Sequence, residues 1–238
     1  MFTNLRSYPH TMGRGAKLAL PDGWLVAPLR RLVDVRGGMT PSMARREFWD
    51  GGVPWVTPKD MKRPLISDSI DHISTTAIRE TSLSLVPASA VLMVVRGMIL
   101  ARHVPIARTL RPATINQDMK ALVARPGLLP EFLHYVLIGE NLRLLALVSE
   151  SGHGTRKLET ALWREVELAL PPADEQAAIV KYLAHAHARI DRAIAAKRKL
   201  IALLDEQKQA IIGRAVTRGL DPTAPLKESC IPWLGQVP

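Results

Sequence analysis

The segment Leu170-Pro171-Pro172-Ala173-Asp174-Glu175-Gln176 opens the longest regular pattern in this chain, and that pattern continues to about Val216. Two adjacent prolines are not tolerated inside a helix but suit its first turn, so they mark a helix start. Asp174 can cap this turn, and Asp174 and Glu175 match the positive end of the helix dipole. The sequence therefore predicts one helix over residues 174–216, roughly 65 Å long at about 1.5 Å per residue.

An apolar seam with spacings of three and four runs along this predicted helix. Its members are Ile179, Leu183, Ala186, Ile190, Ala193, Lys197, Leu200, Leu204, Gln207 and Ile211, and Ile194, Ile201 and Leu203 widen the stripe. A domain of this size cannot cover so long a stripe, so the seam predicts a partner helix from a second copy or from another protein. The candidate pairing residues are Ile179, Leu183, Ile190, Ile194, Leu200, Leu204 and Ile211. The competing interpretation is a hairpin that folds back at Lys197–Lys199, although neither Gly nor Pro occurs there.

The composition indicates a soluble chain of one or two domains with a polyanionic partner. The chain has 238 residues, of which 47% are apolar, and its net charge is +10. A basic balance of this size points most often to nucleic acid, and the alternative is a protein that merely has a basic surface. Residues 176–219 hold nine basic and three acidic side chains, whereas residues 37–175 hold sixteen and fifteen. The nearly neutral middle must therefore bind DNA through a local patch.

Cysteine usage and the N-terminal sequence favour the cytoplasm. Cys230 is the only cysteine, which rules out an internal disulfide and fits a reducing compartment. No apolar run reaches 18 residues, so no membrane span is expected. Residues 1–20 carry Arg6, Arg14 and Lys17 without a continuous apolar block, so they resemble a mobile basic arm or an expression leader rather than a signal peptide.

The middle of the chain reads as short strands joined by turn-rich loops. An extended run is predicted at Val53–Pro58, strands at Ser89–Arg96, Val104–Ala107 and Lys120–Ala124, a helix over Pro130–Val148, and a last strand within Leu162–Leu170. The loop at Ser151–Thr155 contains two glycines and is expected to be flexible. The fold class is therefore α+β, with a mixed β-rich domain followed by a long C-terminal helix.

Motifs for catalysis are absent from the sequence. Neither a G-x-x-x-x-G-K-[ST] loop nor a G-x-G-x-x-G after a strand occurs, and the histidines do not combine with cysteines at zinc spacing. Pro171-Pro172 lacks the flanking residues with which an amino-methyltransferase grips a flipped base. We therefore expect a non-catalytic chain that binds neither metal nor cofactor. One enzymatic alternative remains, a metal-dependent nuclease around Asp118 and Lys120, for which no partner carboxylate is obvious.

What the sequence does offer is recognition chemistry in its loops. Candidate DNA-binding residues are the polar and basic loop side chains Thr40, Ser42, Lys59, Lys62, Arg96, Arg102, Asn116, Gln117, Lys120, Thr155, Arg156 and Lys157. Arg and Lys suit guanine or phosphate, and Asn and Gln suit adenine edges in the major groove. Trp49 and Trp55 could stack on bases, but burial in a core is the favoured interpretation.

A set of segments in fixed order also carries a family resemblance. They are Gly38-Met39-Thr40-Pro41-Ser42, Val53-Pro54-Trp55-Val56-Thr57-Pro58-Lys59-Asp60-Met61-Lys62, Val95-Arg96-Gly97-Met98, Thr114 to Leu122, Gly154-Thr155-Arg156-Lys157-Leu158, Leu170-Pro171-Pro172 with Glu175-Gln176, Gly219-Leu220-Asp221-Pro222, and Trp233-Leu234-Gly235. The chain resembles the specificity subunit of type I restriction–modification systems from about Leu20 to Pro238. Each segment alone is weak evidence, but the ordered set is specific.

This resemblance implies a target recognition domain over residues 21–172 and a spacer helix over residues 173–218. The arm would cover residues 1–20, and the tail over residues 219–238 is similar to the lead-in to a second recognition domain. In that family one chain holds two such units, whose helices pair as an antiparallel coiled coil. Methyltransferase subunits that use S-adenosylmethionine dock on it and methylate adenine, and restriction or translocase subunits can join. This chain has one unit, so it is similar to half a subunit, natural or truncated.

The loop residues and the family resemblance together predict that this chain recognises double-stranded DNA. The chain would direct an adenine methyltransferase to a bipartite site, as a homodimer or paired with a second specificity chain, without a membrane partner. S-adenosylmethionine is expected on the methyltransferase and not on this chain. The alternative is a helix-mediated adaptor or decoy, which pairs with a full specificity subunit without productive DNA binding.

Overall fold

The structure of this chain is a computed structural model that describes residues 20–150, 154–221, 223–232 and 234–237. The chain divides into two units, Met1–Val180 and Lys181–Pro238. The predicted basic arm over residues 1–20 lies outside the described residues except for Leu20. The predicted flexible loop is likewise described only from Gly154 onward.

Short strands and helices alternate along the first unit, and one helix continues into the second. The strands are β1 (Leu25–Pro28), β2 (Val33–Gly37), β3 (Val53–Val56), β4 (Leu65–Ile66), β5 (Asp71–Ile73), β6 (Val91–Val94), β7 (Ile106–Thr109), β8 (Thr114–Ile115), β9 (Met119–Ala124), β10 (Val148–Glu150), β11 (Arg156–Leu158), β12 (Glu167–Leu170), β13 (Lys227–Glu228) and β14 (Gln236–Val237). The helices are α1 (Leu29–Leu32), α2 (Thr75–Glu80), α3 (Pro130–Gly139), α4 (Asn141–Ala146), α5 (Thr160–Trp163) and α6 (Ala173–Arg218), with 3-10 turns at Arg46–Phe48 and Met98–Ala101. The predicted α+β class with a long C-terminal helix is confirmed.

A five-stranded sheet in the order β2-β9-β6-β7-β4 organises the first unit. Its pairs are antiparallel except for β4 and β7, which run parallel. The strand β6 has the sequence Val-Leu-Met-Val, and all four side chains are buried, as a continuous apolar run predicts for a central strand. Helix α3 packs against β6, β7 and β9. Leu133 and Leu137 of α3 are fully buried there and complete the main core.

A second, smaller sheet in the order β5-β3-β8 carries its own apolar cluster. Phe48, Trp55, Ile73, Ala77 and Leu83 form this cluster. The strand β3 confirms the extended run that was predicted from Val53. It pairs antiparallel with β5 and parallel with β8, so it joins segments that are far apart in the sequence.

Two tryptophans hold the loop that follows β2. Trp49 and Trp55 meet edge to face, with ring centroids 4.9 Å apart. The indole N–H of Trp55 donates to the carbonyl of Met39 at 3.0 Å, and that of Trp49 donates to the carbonyl of Ser42 at 3.1 Å. Trp55 is buried and Trp49 is half-buried, so the core interpretation of both rings holds. They act as packed donors that fix the backbone of residues 39–42.

The first turn of α6 is fixed by the side chain of Gln176, which is only 1% exposed. Its Nε2 donates to the carbonyls of Gly127 and Pro171, both at 2.9 Å, and its Oε1 accepts the backbone N–H of Leu129 at 2.9 Å. The indole N–H of Trp24 donates to the Glu175 carboxylate at 3.0 Å. The helix thus begins at Ala173, directly after the proline pair, as the sequence predicts.

Helix α6 is continuous from Ala173 to Arg218, so the alternative hairpin at Lys197–Lys199 does not form. Ile179 is partly buried and packs against the main core of the first unit. Farther along, the predicted seam is open to solvent: Ile190 is 54% exposed, Leu204 is 54% exposed and Ile211 is 60% exposed. No helix in the described part of the chain combines the length and apolarity that crossing a bilayer needs.

Several predicted boundaries are wrong, and the strand predicted at Ser89–Arg96 is shorter, as β6. The helix predicted over Pro130–Val148 breaks at Glu140, because the side chain of Asn141 is bonded to both the N–H and the carbonyl of Val104, at 3.1 and 2.6 Å. The strand predicted within Leu162–Leu170 begins only at Glu167. The residues from Thr160 to Trp163 form helix α5 instead, and a turn joins Trp163 to Val166. The strand predicted at Val104–Ala107 lies two residues later, as β7.

Replacing Gln176 with Ala will lower the free energy of unfolding by about 2–4 kcal/mol, because buried backbone groups of the Gly127–Leu129 turn and of Pro171 lose their partners. Urea denaturation followed by circular dichroism measures this change. The control is Gln209→Ala on an exposed turn of α6, which will stay within about 0.5 kcal/mol of the wild type. Equal effects of the two substitutions would contradict the assigned role of Gln176.

Replacing Gly38 with Ala will destabilise the first unit by about 1–3 kcal/mol, because the new methyl group overpacks a rigid backbone contact. A Cβ at Gly38 would lie 1.9 Å from the carbonyl oxygen of Ile115. Gly52→Ala is the matched control, since a Cβ there meets nothing within 4 Å. Thermal denaturation of both variants tests this, and a Gly38→Ala melting temperature equal to that of Gly52→Ala would refute the close contact.

Candidate nucleic-acid interface

Loops from distant parts of the sequence converge at one end of the five-stranded sheet, which we call the Lys120 end. The register pairs Gly37 with Lys120 and Met93 with Ile106. The last residues of β2 and β6 and the first residues of β9 and β7 therefore lie at the same end. The loops that leave the sheet here contain most of the residues predicted to bind DNA.

Thr40 and Gln117 come together at this end. The hydroxyl of Thr40 donates to Oε1 of Gln117 at 2.7 Å. Gln117 is exposed, whereas its neighbour Asn116 is only 6% exposed and makes its hydrogen bonds within the turn. The Asn116 amide donates to the Asp118 carboxylate and accepts the backbone N–H of Asp118, both at 3.1 Å. Gln117 is therefore the amide of this pair that a ligand can reach.

Backbone contacts bring Arg96, Arg156 and Lys157 to the same turn. The carbonyl of Asp118 accepts the N–H groups of Val95 and Arg96, at 2.8 and 3.2 Å. Arg96 forms an isolated antiparallel bridge with Lys157, and the N–H of Gly97 donates to the carbonyl of Arg156 at 3.0 Å. Sequence spacing alone did not show that these segments adjoin Asn116–Lys120.

The basic side chains here are either unpaired or only loosely paired. Arg156 contacts Glu150 and Lys157 contacts Glu159, both at 2.9 Å and both in exposed settings. Ion pairs of this kind contribute about 0–1 kcal/mol, so a phosphate can replace the carboxylates at low cost. Across the described ranges, Arg96 and Lys120 form no ion pair at all.

The remaining predicted residues lie on the surrounding loops. Lys59 and Lys62 are exposed on the loop after β3, which starts beside Asn116 because the N–H of Asn116 donates to the carbonyl of Val56 at 3.1 Å. Arg102 is exposed after the 3-10 turn Met98–Ala101, which packs next to β11. Ser42 is exposed, and its carbonyl accepts the indole N–H of Trp49. Thr155 is half-buried next to Arg156.

The candidate residues predicted from the sequence did not include two basic residues of this surface, Arg63 and His103. Both are exposed, and together with Lys62 they line a cleft of about 240 Å³. The sequence could have indicated them, because each directly follows a predicted DNA-binding residue: Arg63 follows Lys62, and His103 follows Arg102. Their proximity to each other depends on the pairing of β4 with β7, which local sequence does not reveal.

Two carboxylates of the first unit have lowered pKa values. The hydrogen bond from the His72 imidazole, followed by that from the backbone N–H of Ser69, lowers the pKa of Asp68. The hydrogen bond from Arg45 lowers the pKa of Glu47. Asp68 lines a second cleft together with Lys59, so that cleft carries both negative and positive charge at neutral pH.

The Lys120 end presents hydrogen-bond donors and cations. Over the ranges that the structure describes, no group of three or more His, Cys, Asp or Glu side chains could hold a metal ion. The carboxylate of Asp118, half of the nuclease alternative, contacts the amide of Asn116. The surface can bind phosphates and the acceptor edges of bases.

The predicted pairing residues of α6 differ in exposure. Ile179 packs against the core of the first unit and Leu183 is half-buried. The others, which are exposed, are Ile190, Ile194, Leu200, Leu204 and Ile211. Ile201, Leu203 and Ile212 are exposed beside them and extend the apolar surface.

The sequence of this chain is similar to those of a known protein family. A family model described as the type I restriction modification DNA specificity domain matches residues 21–203. The EcoR124I/EcoR124II specificity subunit of Escherichia coli is 34% identical over 148 residues, which cover 62% of this chain and 37% of that protein. The MjaIX specificity subunit of Methanocaldococcus jannaschii is 30% identical over 169 residues, which cover 70% of this chain and 38% of that protein.

Solved structures agree in fold. A chain from a structure of type I R-M system assembly and conformational transition aligns with a TM-score of 0.68 at 23% identity, over 87% of this chain and 48% of that one. The HsdS subunit from Thermoanaerobacter tengcongensis aligns with a TM-score of 0.58 at 22% identity, over 87% of this chain and 47% of that subunit. The chain thus spans about half the length of these structures and less than two fifths of the curated relatives.

The family match spans the sheet, the Lys120 end and the first part of α6. It agrees with the ordered segments on which the resemblance was based. This chain belongs to the type I restriction modification DNA specificity domain family.

Proposed function

We propose that this chain is the sequence-specific DNA-recognition subunit of a type I restriction–modification complex, without catalysis of its own. The observation that carries the proposal is the convergence of Gln117, Lys120 and Arg96 at one sheet end, in a chain of the specificity domain family. The complex would act on double-stranded DNA in the cytoplasm.

Base recognition needs donors and acceptors that are held in place before the DNA arrives. Thr40 holds Gln117 by a hydrogen bond, and the buried Asn116 shapes the turn on which Gln117 lies. Lys120 is the second residue of β9, so its backbone is fixed by the sheet. An oriented amide and a lysine can bind base edges in the major groove, while arginines around them bind phosphates.

The exposed apolar stripe of α6 supports pairing with a second copy of the chain. Burying each Leu or Ile side chain contributes about 1.5–3 kcal/mol. The exposed residues from Ile190 to Ile211 can therefore offset an association cost on the order of 4–15 kcal/mol. We propose an antiparallel coiled coil with twofold symmetry, so that two identical domains contact a palindromic, interrupted site. Pairing with a different specificity chain would use the same stripe.

The catalytic partners follow from the family. We propose that an adenine methyltransferase subunit, which binds S-adenosylmethionine itself, docks on this chain and modifies the recognised site. A restriction or translocase subunit would join the same assembly.

Replacing Gln117 or Lys120 with Ala will weaken binding to the cognate duplex by roughly 5- to 100-fold, since a good base contact contributes about 1–3 kcal/mol. The target is first identified by methylome sequencing of cells that express the chain with its methyltransferase, and gel shifts then give the affinities. Arg31→Gln, an exposed residue of α1 at the opposite end of the sheet, is the control and will bind like the wild type.

Unchanged affinity of both variants would remove the Lys120 end from the interface. A wild-type chain that captures a full specificity subunit but binds no duplex would instead support the adaptor or decoy function.

Replacing Ile190 with Asp will convert a dimer into a monomer at micromolar concentration, because a carboxylate in the apolar seam cannot be buried without a partner. Sedimentation equilibrium measures the mass. Ala188→Asp is the matched control: it adds the same charge two residues away, about 200° around the helix, and will leave the dimer intact. A wild-type chain that sediments as a monomer would contradict pairing through this stripe.

A further inference from the structure

The cleft beside Lys62, Arg63 and His103 is a second feature of the Lys120 end, apart from the Gln117 turn. One wall is formed by Met61–Pro64 before β4, and the other by His103–Ile106 at the start of β7. Ile138 of α3 and Asn141 of α4 also line it, and its volume is about 240 Å³. This space is several times the roughly 30 Å³ that one water occupies in the liquid.

The charge of this cleft is one-sided. Its lining contains a lysine, an arginine and a histidine and no carboxylate. In the described part of the chain, none of Lys62, Arg63 and His103 forms an ion pair. The neighbouring cleft, of about 360 Å³, shares Lys62 and Arg63 and is also lined by Lys59 and by the carboxylates of Asp60 and Asp68, which lower its net positive charge. An anion therefore fits the first cleft better than the second.

The walls of the cleft are held by backbone hydrogen bonds. The side chain of Asn141 binds both the N–H and the carbonyl of Val104. The N–H of Val94 donates to the carbonyl of Pro105 at 3.1 Å, and that of Arg108 donates to the carbonyl of Pro64 at 2.9 Å. The cleft is thus preorganised, and an anion would not have to order its walls.

Its place in the sheet relates it to the Gln117 turn. In the order β2-β9-β6-β7-β4, the cleft lies at β7 and β4, two and three strands from Lys120 on β9. At about 4.8 Å per strand, that separation is about 10–14 Å. The major groove of B-DNA is about 12 Å wide between its flanking backbones. A chain that places Gln117 and Lys120 against base edges would therefore bring this cleft to a flanking phosphate.

We propose that Lys62, Arg63 and His103 bind a backbone phosphodiester of the duplex whose bases meet Gln117 and Lys120. This inference rests on the proposed function and adds a specific phosphate site to it. The ligand is the DNA backbone, and the contact contributes affinity and register without discriminating sequence. His103 can donate a ring N–H in either protonation state, and Lys62 and Arg63 supply charge and further donors.

The test compares two sets of substitutions in the full chain bound to its methyltransferase. Lys62→Gln, Arg63→Gln and His103→Gln are combined in one variant, and each is also made singly. The matched control combines Arg31→Gln and Arg164→Gln, two exposed arginines at the opposite end of the sheet, and so removes the same formal charge from Lys and Arg. Affinity for a mixed-sequence duplex and for the cognate duplex is measured at several KCl concentrations.

The triple variant is expected to lose affinity about equally for both duplexes, by roughly tenfold at low salt. The slope of log K against log [KCl] will become shallower by about one, the value for one lost phosphate contact. The control variant will keep the wild-type slope. Gln117→Ala will lower the preference for the cognate duplex and leave the slope unchanged. Wild-type melting temperatures for the single variants show that the fold is intact.

Two outcomes separate this proposal from the proposed function. If the wild-type chain binds the cognate duplex and the triple variant has the same salt slope, the phosphate cleft is overturned while DNA recognition stands. If the wild-type complex binds no duplex, both fail. Titration with inorganic phosphate, followed through the His103 imidazole signals by NMR, tests the source of the anion. Shifts with phosphate but none with duplex would assign the cleft to a free anion instead.

Discussion

A single buried amide fixes where the long helix begins. Gln176 contacts the backbone of Gly127, Leu129 and Pro171, which belong to the connection between β9 and α3 and to the end of β12. Each of these backbone groups would cost about 1–3 kcal/mol if it were left buried without a partner. The hydrogen-bonding requirement therefore sets Ala173 as the first helical residue. From that point the period of 3.6 residues decides which later side chains share a face.

The same principle, buried polar groups satisfied by backbone, shapes the Lys120 end. The amide oxygen of Asn116 accepts a backbone N–H, the two tryptophans donate to loop carbonyls, and Gly38 approaches the carbonyl of Ile115 too closely for any side chain. The loops are held by groups that a ligand does not touch. Gln117 and Lys120 can then stay exposed or half-exposed without relying on bound DNA for their position. Rigid support under accessible donors is what recognition of base edges demands.

The sequence predicted features that depend on local patterns and missed those that depend on distant pairing. The proline pair predicted the start of α6, and the apolar run within Ser89–Arg96 predicted the central strand, because both signals lie within a few residues. Strands β4 and β8 have two residues each and exist only through partners more than forty residues away. The break at Glu140 likewise depends on Asn141 reaching Val104. Arg63 and His103 could not be joined from sequence for the same reason.

Residues 37–175 are nearly neutral, and two of their carboxylates are bound by donors in the loops. Asp60 accepts the N–H groups of Thr57 and Ile70, and Asp118 accepts the amide of Asn116, so both carboxylates serve the loops. Lys59 and Lys62 on the same loops remain exposed. Carboxylates whose lone pairs are engaged by local donors repel an approaching phosphate less than free ones, since those donors offset part of their charge. In these loops the exposed lysines, rather than Asp60 and Asp118, therefore dominate the charge that faces solvent.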